Sequence, residues 1–131
     1  GLMRRFHEAR LENRDSVAVW GTGNALREFL HVDDMAAAAL ACFERYDDEE
    51  IVNIGSGEEV SIRELAALMA KVTGFAGRIV FDASKPDGTP RKIVDIKRLS
   101  SLGWKPRHTL AEGLEQTYRW FCDNIASARM A

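Results

Sequence analysis

The sequence is short of cysteine, and the two cysteines it has follow no pattern that would give them a chemical role. Cys42 and Cys122 lie 80 positions apart, and neither belongs to a C-x-x-C pair. Zinc sites and redox pairs both use closely spaced cysteines, so neither kind of site is indicated. We expect both cysteines to fill core positions as free thiols.

Positive charge is not in excess, and no long apolar run is present. The 18 basic side chains are outnumbered by 20 acidic ones, which gives a formal net charge of -2 at pH 7. A general nucleic-acid binder needs a strong positive excess to neutralise phosphates, so that class is excluded. No apolar run approaches the roughly 20 residues that span a bilayer, and residues 1–10 carry too much charge for a signal peptide. The sequence therefore predicts no membrane partner and a cytoplasmic location.

Catalytic and cofactor-binding motifs are also missing. Neither Tyr46 nor Tyr118 has a lysine four residues later, so the Tyr-x-x-x-Lys pair that many hydride-transferring enzymes use is absent. The glycine pairs in 21–23 and 55–57 lack the third glycine and the following helix of a dinucleotide site, so we interpret both as turns. We therefore predict no catalytic and no cofactor-binding residue in this chain.

The composition that remains is that of a globular protein. Hydrophobic residues make up 46% and charged residues 29% of 131 residues, which fits one domain spanning 1–131. Alternating and helical periodicities follow one another, so the fold class is mixed α/β. Strands are predicted over 16–20, 27–32, 51–54 and 77–82, and helices over 2–13, 34–46, 62–73, 96–102 and from 110 onward.

Two helix starts carry a capping box, in which a hydroxyl and a glutamate three residues later satisfy each other's backbone N–H groups. Ser61 and Glu64 form the first box, and Thr109 and Glu112 form the second. Gly74 is the expected end of the first of these helices.

The helix over 34–46 has a weaker signal. Asp33 is its expected N-cap, and this role explains the aspartates near His31 better than a metal site does, so no metal is predicted. Its expected buried stripe consists of Met35, Ala39, Leu40 and Phe43.

Residues 84–92 form a long polar loop that Pro86 and Pro90 stiffen. Stiff polar loops suit ligand recognition, because little conformational entropy is lost on binding. A solvated surface loop explains the composition equally well. In the same way, Arg5 and Arg27 are expected to face solvent and Trp20 to lie in the core, unless a ligand is involved. The charged side chains of the loop are Lys85, Asp87, Arg91 and Lys92.

Two segments resemble a known family. Residues 27–34, REFLHVDD, resemble the R-[ED]-F-x-x-V-x-D segment of extended short-chain dehydrogenase/reductases that act on nucleotide sugars. Residues 81–92, FDASKPDGTPRK, followed by Asp95 and by LGW at 102–104, resemble the GDP-L-fucose synthase family within that group. The resemblance runs from Leu2 to about Asn124.

The resemblance implies that the chain is the C-terminal substrate-binding portion of such an enzyme, lacking most of its Rossmann domain. Enzymes of this family epimerise and then reduce a GDP-4-keto-6-deoxy sugar with NADPH. NADP(H) and the catalytic residues belong to the N-terminal domain, and the intact enzyme is expected to be a homodimer. The chain alone is expected to bind a GDP-sugar weakly without turning it over. The positions that match the family's substrate contacts are Arg5, Trp20, Arg27 and Asp87.

In that family the segment 27–54 returns to the cofactor domain, so its apolar face lacks a partner here. We therefore expect this chain to self-associate or to exchange strands. Two alternatives stay open: the equivalent domain of another nucleotide-sugar epimerase, dehydratase or reductase, and a non-catalytic module that binds nucleotide sugars or other proteins.

Overall fold

A computed structural model describes residues 1–125, which contain α-helices, two small sheets and long connecting segments. The domain predicted over 1–131 therefore includes six residues that lie outside the described part. The helices are α1 (Leu2–Leu11), α2 (Val32–Arg45), α3 (Ile62–Thr73), α4 (Lys97–Ser101) and α5 (Leu110–Asn124), and the strands are β1 (Ser16–Trp20), β2 (Leu26–Arg27), β3 (Val60–Ser61), β4 (Arg78–Asp82) and β5 (Arg91–Lys92).

The longest strand pairing joins β1 and β4 in parallel. Its register sets Ser16 opposite Arg78 and Trp20 opposite Asp82, so both strands end at the same edge. The second sheet has the order β3-β2-β5, with β2 antiparallel to β3 and parallel to β5. This mixture of helices with parallel and antiparallel strands confirms the predicted α/β class.

A first hydrophobic cluster holds α1, β1, α3 and β4 together. Phe6 of α1 is fully buried and meets Phe75 edge-on, with ring centroids 5.5 Å apart. Truncating a buried phenylalanine of this kind costs about 3–5 kcal/mol, so the α1–α3 contact is a main source of stability. The buried members of the cluster are Phe6, Ala9, Val17, Val19, Leu65, Ala66, Met69 and Phe75.

A second, smaller cluster lies under α2 and α4. Its buried members are Ala38, Ala41, Leu99 and Trp104. Asp34, only 1% exposed, borders it on α2. The Asp34 carboxylate accepts hydrogen bonds from the backbone N–H of Arg107 (3.2 Å) and of His108 (3.0 Å), and it lies 3.1 Å from His108 Nδ1. These bonds tie α2 to the segment that leads into α5.

Both predicted capping boxes are confirmed. Ser61 Oγ accepts the Glu64 N–H at 3.1 Å while Glu64 accepts the Ser61 N–H at 2.8 Å, and Thr109 and Glu112 repeat the arrangement. Gly74 ends α3 with φ of 73°, a left-handed conformation that glycine adopts without a steric penalty.

Three predictions around α2 are wrong. The strand predicted over 27–32 shrinks to Leu26–Arg27, and residues 51–54 pair with no described strand. A strand needs neighbouring strands to complete its backbone hydrogen bonds. Leu26 and Arg27 have such neighbours in β3 and β5, whereas residues 28–32 and 51–54 pair with no described strand. The helix begins at Val32, and His31 rather than Asp33 is its N-cap, accepting the Asp33 N–H at 3.4 Å.

The predicted buried stripe of α2 faces solvent instead. Leu40 is 63% exposed and Phe43 is 88% exposed, whereas the buried positions of the helix are Asp34, Ala38 and Ala41. The expectation of buried cysteines holds only in part, because Cys42 is half-buried and Cys122 is exposed. The helix therefore buries its small and acidic side and leaves its large apolar side uncovered.

We predict that Asp34→Asn lowers the free energy of unfolding by about 1–3 kcal/mol, because the amide cannot replace a carboxylate that accepts several buried donors. Burial alone would raise the pKa of Asp34, but the hydrogen bonds from His108 and Arg107 outweigh it and lower that pKa. A carboxyl whose pKa is lowered by folding stabilises the fold at neutral pH and loses that contribution as the pH falls through its folded pKa. Urea unfolding at pH 7 and at acid pH measures both effects.

Asp33→Asn is the matched control, since it removes the same charge from the neighbouring exposed position, where the carboxylate side chain is 76% exposed. A loss of stability in Asp34→Asn no greater than in Asp33→Asn would contradict this role of the buried carboxylate.

Candidate functional site

The carboxyl ends of β1 and β4 bring an aromatic ring and two cations to one edge. Trp20, the last residue of β1, is 61% exposed rather than buried. The Arg5 guanidinium carbon, on α1, lies 5.8 Å from the centroid of the Trp20 ring, and Lys85 Nζ lies 6.0 Å from it. In parallel α/β sheets, ligands bind outside the carboxyl ends of the strands, so this edge is the candidate site.

Both cations at Trp20 lack an acidic partner. Arg5 donates one hydrogen bond, to the Ala18 carbonyl at 3.3 Å. Within residues 1–125, neither Arg5 nor Lys85 takes part in an ion pair. The two cations therefore keep donors free of any direct ion pair, although the carboxylates of Asp82 and Asp87 lie at the same edge.

A turn after β1 is held by Asp87 from the polar loop. The Asp87 carboxylate accepts the Thr22 N–H and the Thr22 hydroxyl, each at 2.7 Å. The hydrogen bonds from the Thr22 hydroxyl and N–H lower the pKa of Asp87. Gly21 has φ of 85°, and a Cβ there would collide with the Asp87 carboxylate. Glycine is thus required for the loop to approach the turn.

Arg27 lies against the same loop from the other sheet. Its guanidinium donates to its neighbour's carbonyl, Leu26 O, at 2.7 Å and to Asp87 O at 3.4 Å. Arginine has five N–H donors, so these two bonds leave three donors for a ligand. Of the four residues predicted from the sequence, Arg5 and Trp20 form one contact and Arg27 and Asp87 another. The turn at 20–22 joins the two contacts into one continuous edge.

The residues of this edge do not fit a dinucleotide cofactor. A cofactor cradle needs glycine N–H groups that point at phosphate from the start of a helix. Here the turn at 21–23 leads into β2, and a Cβ at Gly23 would collide with the Phe81 ring. Both glycines serve contacts inside the chain, so this turn does not form such a cradle.

Sequence reasoning missed two residues that shape the site. Lys85 was recognised as part of a polar loop, but its approach to Trp20 depends on the β1–β4 pairing. Glu28 accepts the Gly57 N–H at 2.7 Å and the Val94 N–H at 3.1 Å, and so fixes the chain next to Arg27. The sequence feature that could have indicated this role is the acidic residue directly after Arg27.

The groove between the start of α5 and the segment 56–60 is a separate feature. It encloses about 300 Å³ and includes Phe29, His31 and His108 among its lining. None of the four predicted site residues lines it, and no buried side-chain nitrogen or oxygen atom within residues 1–125 lacks a hydrogen-bond partner. We assign the candidate site to the Trp20 edge, where charge and exposed aromatic surface coincide.

Comparison with known proteins gives consistent matches. Residues 1–55 match the model of the NAD dependent epimerase/dehydratase family. A probable GDP-L-fucose synthase 1 from Oryza sativa subsp. japonica is 54% identical over 128 residues, covering 98% of this chain and 39% of that protein. The GDP-L-fucose synthase of Escherichia coli K12 is 51% identical over 132 residues, covering 94% of this chain and 41% of that protein. The structure of a GDP-L-fucose synthetase from Naegleria fowleri bound to NADP superimposes with a TM-score of 0.92 at 29% identity, covering 99% of this chain and 41% of that one.

The match of residues 1–55 to the model of that family agrees with the resemblance of residues 27–34. The chain is similar to GDP-L-fucose synthases along nearly its whole length, and it spans about two fifths of the length of the curated relatives it matches. This agrees with the prediction that the chain corresponds to one portion of a larger enzyme.

Two further properties concern residues 1–125 as a whole. None of their helices combines the length and the apolar character that crossing a bilayer requires. Over the same residues, no three or more histidine, cysteine, aspartate or glutamate side chains form a group that could hold a metal ion.

We predict that Asp87→Ala frees the Thr22 amide without unfolding the chain. The Thr22 N–H would lose its carboxylate acceptor, and its hydrogen exchange would become at least several-fold faster, since an amide without that hydrogen bond is open to water. Amide exchange followed by NMR measures this. Asp47→Ala, at an exposed position in the segment after α2, is the control. Unchanged exchange at Thr22 in Asp87→Ala would show that this contact does not hold the turn.

Proposed function

We propose that this chain is the substrate-binding portion of an NADP-dependent enzyme that epimerises and reduces GDP-4-keto-6-deoxy-D-mannose to GDP-L-fucose. The observation that carries the proposal is the edge at Trp20. Unpaired cations surround an exposed indole there, in a chain 51–56% identical to GDP-L-fucose synthases. A GDP-sugar combines an aromatic base with two phosphates, and this edge offers a matching aromatic surface and donors.

Arg27 is proposed to bind the diphosphate. Its planar guanidinium can donate paired, charge-assisted hydrogen bonds to phosphate oxygens. The Leu26 and Asp87 carbonyls already orient it through two bonds, which lowers the entropy lost on binding. Arg5 is proposed to add positive charge at the other end of the edge, next to Trp20.

Trp20 is proposed to offer its exposed ring to the base.

Asp87 has two roles in this proposal. Two of its lone-pair positions hold Thr22, and a carboxylate has about four, so it can still accept a hydroxyl or a base N–H of the ligand. Its principal contribution is to keep the turn next to Trp20 in place.

The chemical step is proposed to use residues outside this chain. NADP(H) and the groups that move protons are assigned to the cofactor domain, as the family resemblance implies. His7 is not a substitute for them, because it is buried and its Nδ1 lies 2.9 Å from the Tyr118 hydroxyl. A cytoplasmic location and a homodimeric intact enzyme are part of the same proposal and rest on the family resemblance.

The binding test compares GDP, UDP and dTDP by calorimetry on this chain. GDP is expected to bind weakly but measurably, with UDP and dTDP weaker. Arg27→Ala should reduce GDP affinity by roughly ten-fold or more, since a charge-assisted bond contributes about 1.5–3 kcal/mol. In the intact enzyme it should raise KM.

Arg78→Ala is the control for lost positive charge, because Arg78 is exposed at the opposite end of β4. A preference for UDP or dTDP would favour another nucleotide-sugar enzyme. NADPH oxidation by this chain alone would contradict the assignment of the chemistry to another domain.

We also propose a role for the exposed apolar face formed by α2 and the segment that follows it. In this chain the face is buried by self-association, and in the intact enzyme it packs on the cofactor domain. Val32 is 71% exposed, Phe43 88% and Ile51 81%. Contiguous exposed apolar side chains of this kind mark contact surfaces. Relatives about two and a half times longer, as the 39% coverage implies, have additional chain that could cover it.

Sedimentation velocity tests the self-association. The chain is expected to show dimers or larger species whose fraction rises with concentration, and Leu40→Ser with Phe43→Ser should shift them to monomer. Leu11→Ser, which changes an exposed leucine on α1 away from this face, is the control. A strictly monomeric parent chain at high concentration would refute the proposal.

A further inference from the structure

The two cations at Trp20 stand farther from the ring than the cation of a third pair in the same chain. Arg63 covers the Phe81 ring with its guanidinium carbon only 4.0 Å from the centroid. Arg5 and Lys85 stay at 5.8 and 6.0 Å from the Trp20 centroid. Both distances lie at the outer limit of cation–ring attraction, about 6 Å, and Trp20 is 61% exposed, so most of the indole surface stays open.

The open surface of the indole can take a stacked ring beside the two cations. A planar group in van der Waals contact with the indole would lie about 3.5 Å from it, which is closer to the ring than either cation. Donors at 5.8 and 6.0 Å from the centroid can therefore reach the edge of a planar group stacked on Trp20. Stacking on an aromatic side chain accepts any base, so selectivity has to come from the donors.

The backbone fixes the position of Lys85. The Asp82 carboxylate accepts the Ser84 N–H at 3.0 Å and the Ser84 hydroxyl at 2.5 Å, and the Lys85 N–H donates to the Asp82 carbonyl at 3.1 Å. This tight turn follows directly on β4, whose last residue is paired with Trp20. Lys85 is thus held beside the indole by the same register that presents the ring.

Only donors face the Trp20 ring from these two side chains, and this decides which purine they can bind. Guanine presents two acceptors, O6 and N7, on one edge, whereas adenine places an amino donor where guanine has O6. The ammonium of Lys85 pairs with the first and is repelled by the second. The carboxylates that follow or end the two strands at this edge are already engaged, Asp82 by Ser84 and Asp87 by Thr22.

We propose that Lys85 is a specificity residue that recognises the O6/N7 edge of a guanine stacked on Trp20, with Arg5 as a second donor at the same ring. The inference rests on the proposed function, since it takes the ligand to be a purine nucleoside diphosphate. It assigns base selection to the turn after β4 and leaves the diphosphate to Arg27.

The test measures the affinity of this chain for GDP, IDP and ADP, with Trp20 fluorescence as a second readout. IDP keeps O6 and N7 and lacks only the 2-amino group, so it should bind nearly as well as GDP. ADP should bind about five- to twenty-fold more weakly, which is at the lower end of the discrimination that a base-edge contact gives. Lys85→Met should abolish most of that preference by weakening GDP and IDP while leaving ADP little changed.

Lys85→Arg should retain the preference for GDP, since arginine donates to the same edge. Lys71→Met on α3 is the control for removing one exposed lysine. An equal loss of GDP and ADP affinity in Lys85→Met would assign Lys85 to phosphate and overturn the inference, as would an unchanged GDP-to-ADP ratio. If the parent chain binds no guanine nucleotide, the proposed function fails together with the inference, whereas failure in the Lys85 variants alone leaves the proposed function standing.

Discussion

The parallel pairing of β1 with β4 is the constraint on which the candidate site depends. Parallel strands end at the same edge of a sheet, so the register that sets Trp20 opposite Asp82 also brings together everything that follows these two residues. The turn at 21–23 and the loop at 83–90 start side by side for this reason. A slip of one residue would turn the Trp20 side chain to the other face of the sheet, away from Arg5 and Lys85.

The turn after β1 shows how a motif that resembles an anion cradle can be used internally. Backbone N–H groups in a glycine turn form a concave site for negative charge. In this chain the Asp87 carboxylate occupies it, bound to the Thr22 N–H and hydroxyl. The turn's donors are therefore not free for an anionic ligand. The G-T-G sequence is used here for a contact within the chain.

Local signals in the sequence predicted local structure correctly. The capping boxes at Ser61 and Thr109 and the glycine end of α3 involve residues within four positions of one another, so no tertiary knowledge was needed. The strand over 27–32 failed because strands need partners. The Asp34 contacts were not predictable from the sequence, since its donor Arg107 lies 73 residues away and burial of an acidic side chain depends on finding such donors.

The difference between local and long-range information also applies to the residues of the candidate site. Family resemblance predicted Arg5, Trp20, Arg27 and Asp87 as substrate contacts, which stays a prediction, and the structure places Arg5 near Trp20 and Arg27 near Asp87. Composition alone would have buried Trp20, because a tryptophan at a strand end usually belongs to the core. Its exposure, at 61%, follows from alternation along β1, where Val17 and Val19 point into the first cluster and Trp20 falls on the outer face.

The two hydrophobic clusters separate ligand binding from the exposed apolar face. The elements that present Arg5 and Trp20 pack in the first cluster, whereas α2 packs in the second with Leu99 and Trp104. Glu28 links the two regions through backbone N–H groups at Gly57 and Val94, and the hydrogen bonds of Asp34 tie α2 to the segment that leads into α5. In the proposed function, the outer face of α2 changes its partner, from a second copy to a cofactor domain, while the first cluster keeps the geometry at Trp20. The proposed nucleotide-sugar edge would then be formed by the packing of this chain alone, before the rest of the proposed enzyme is in place.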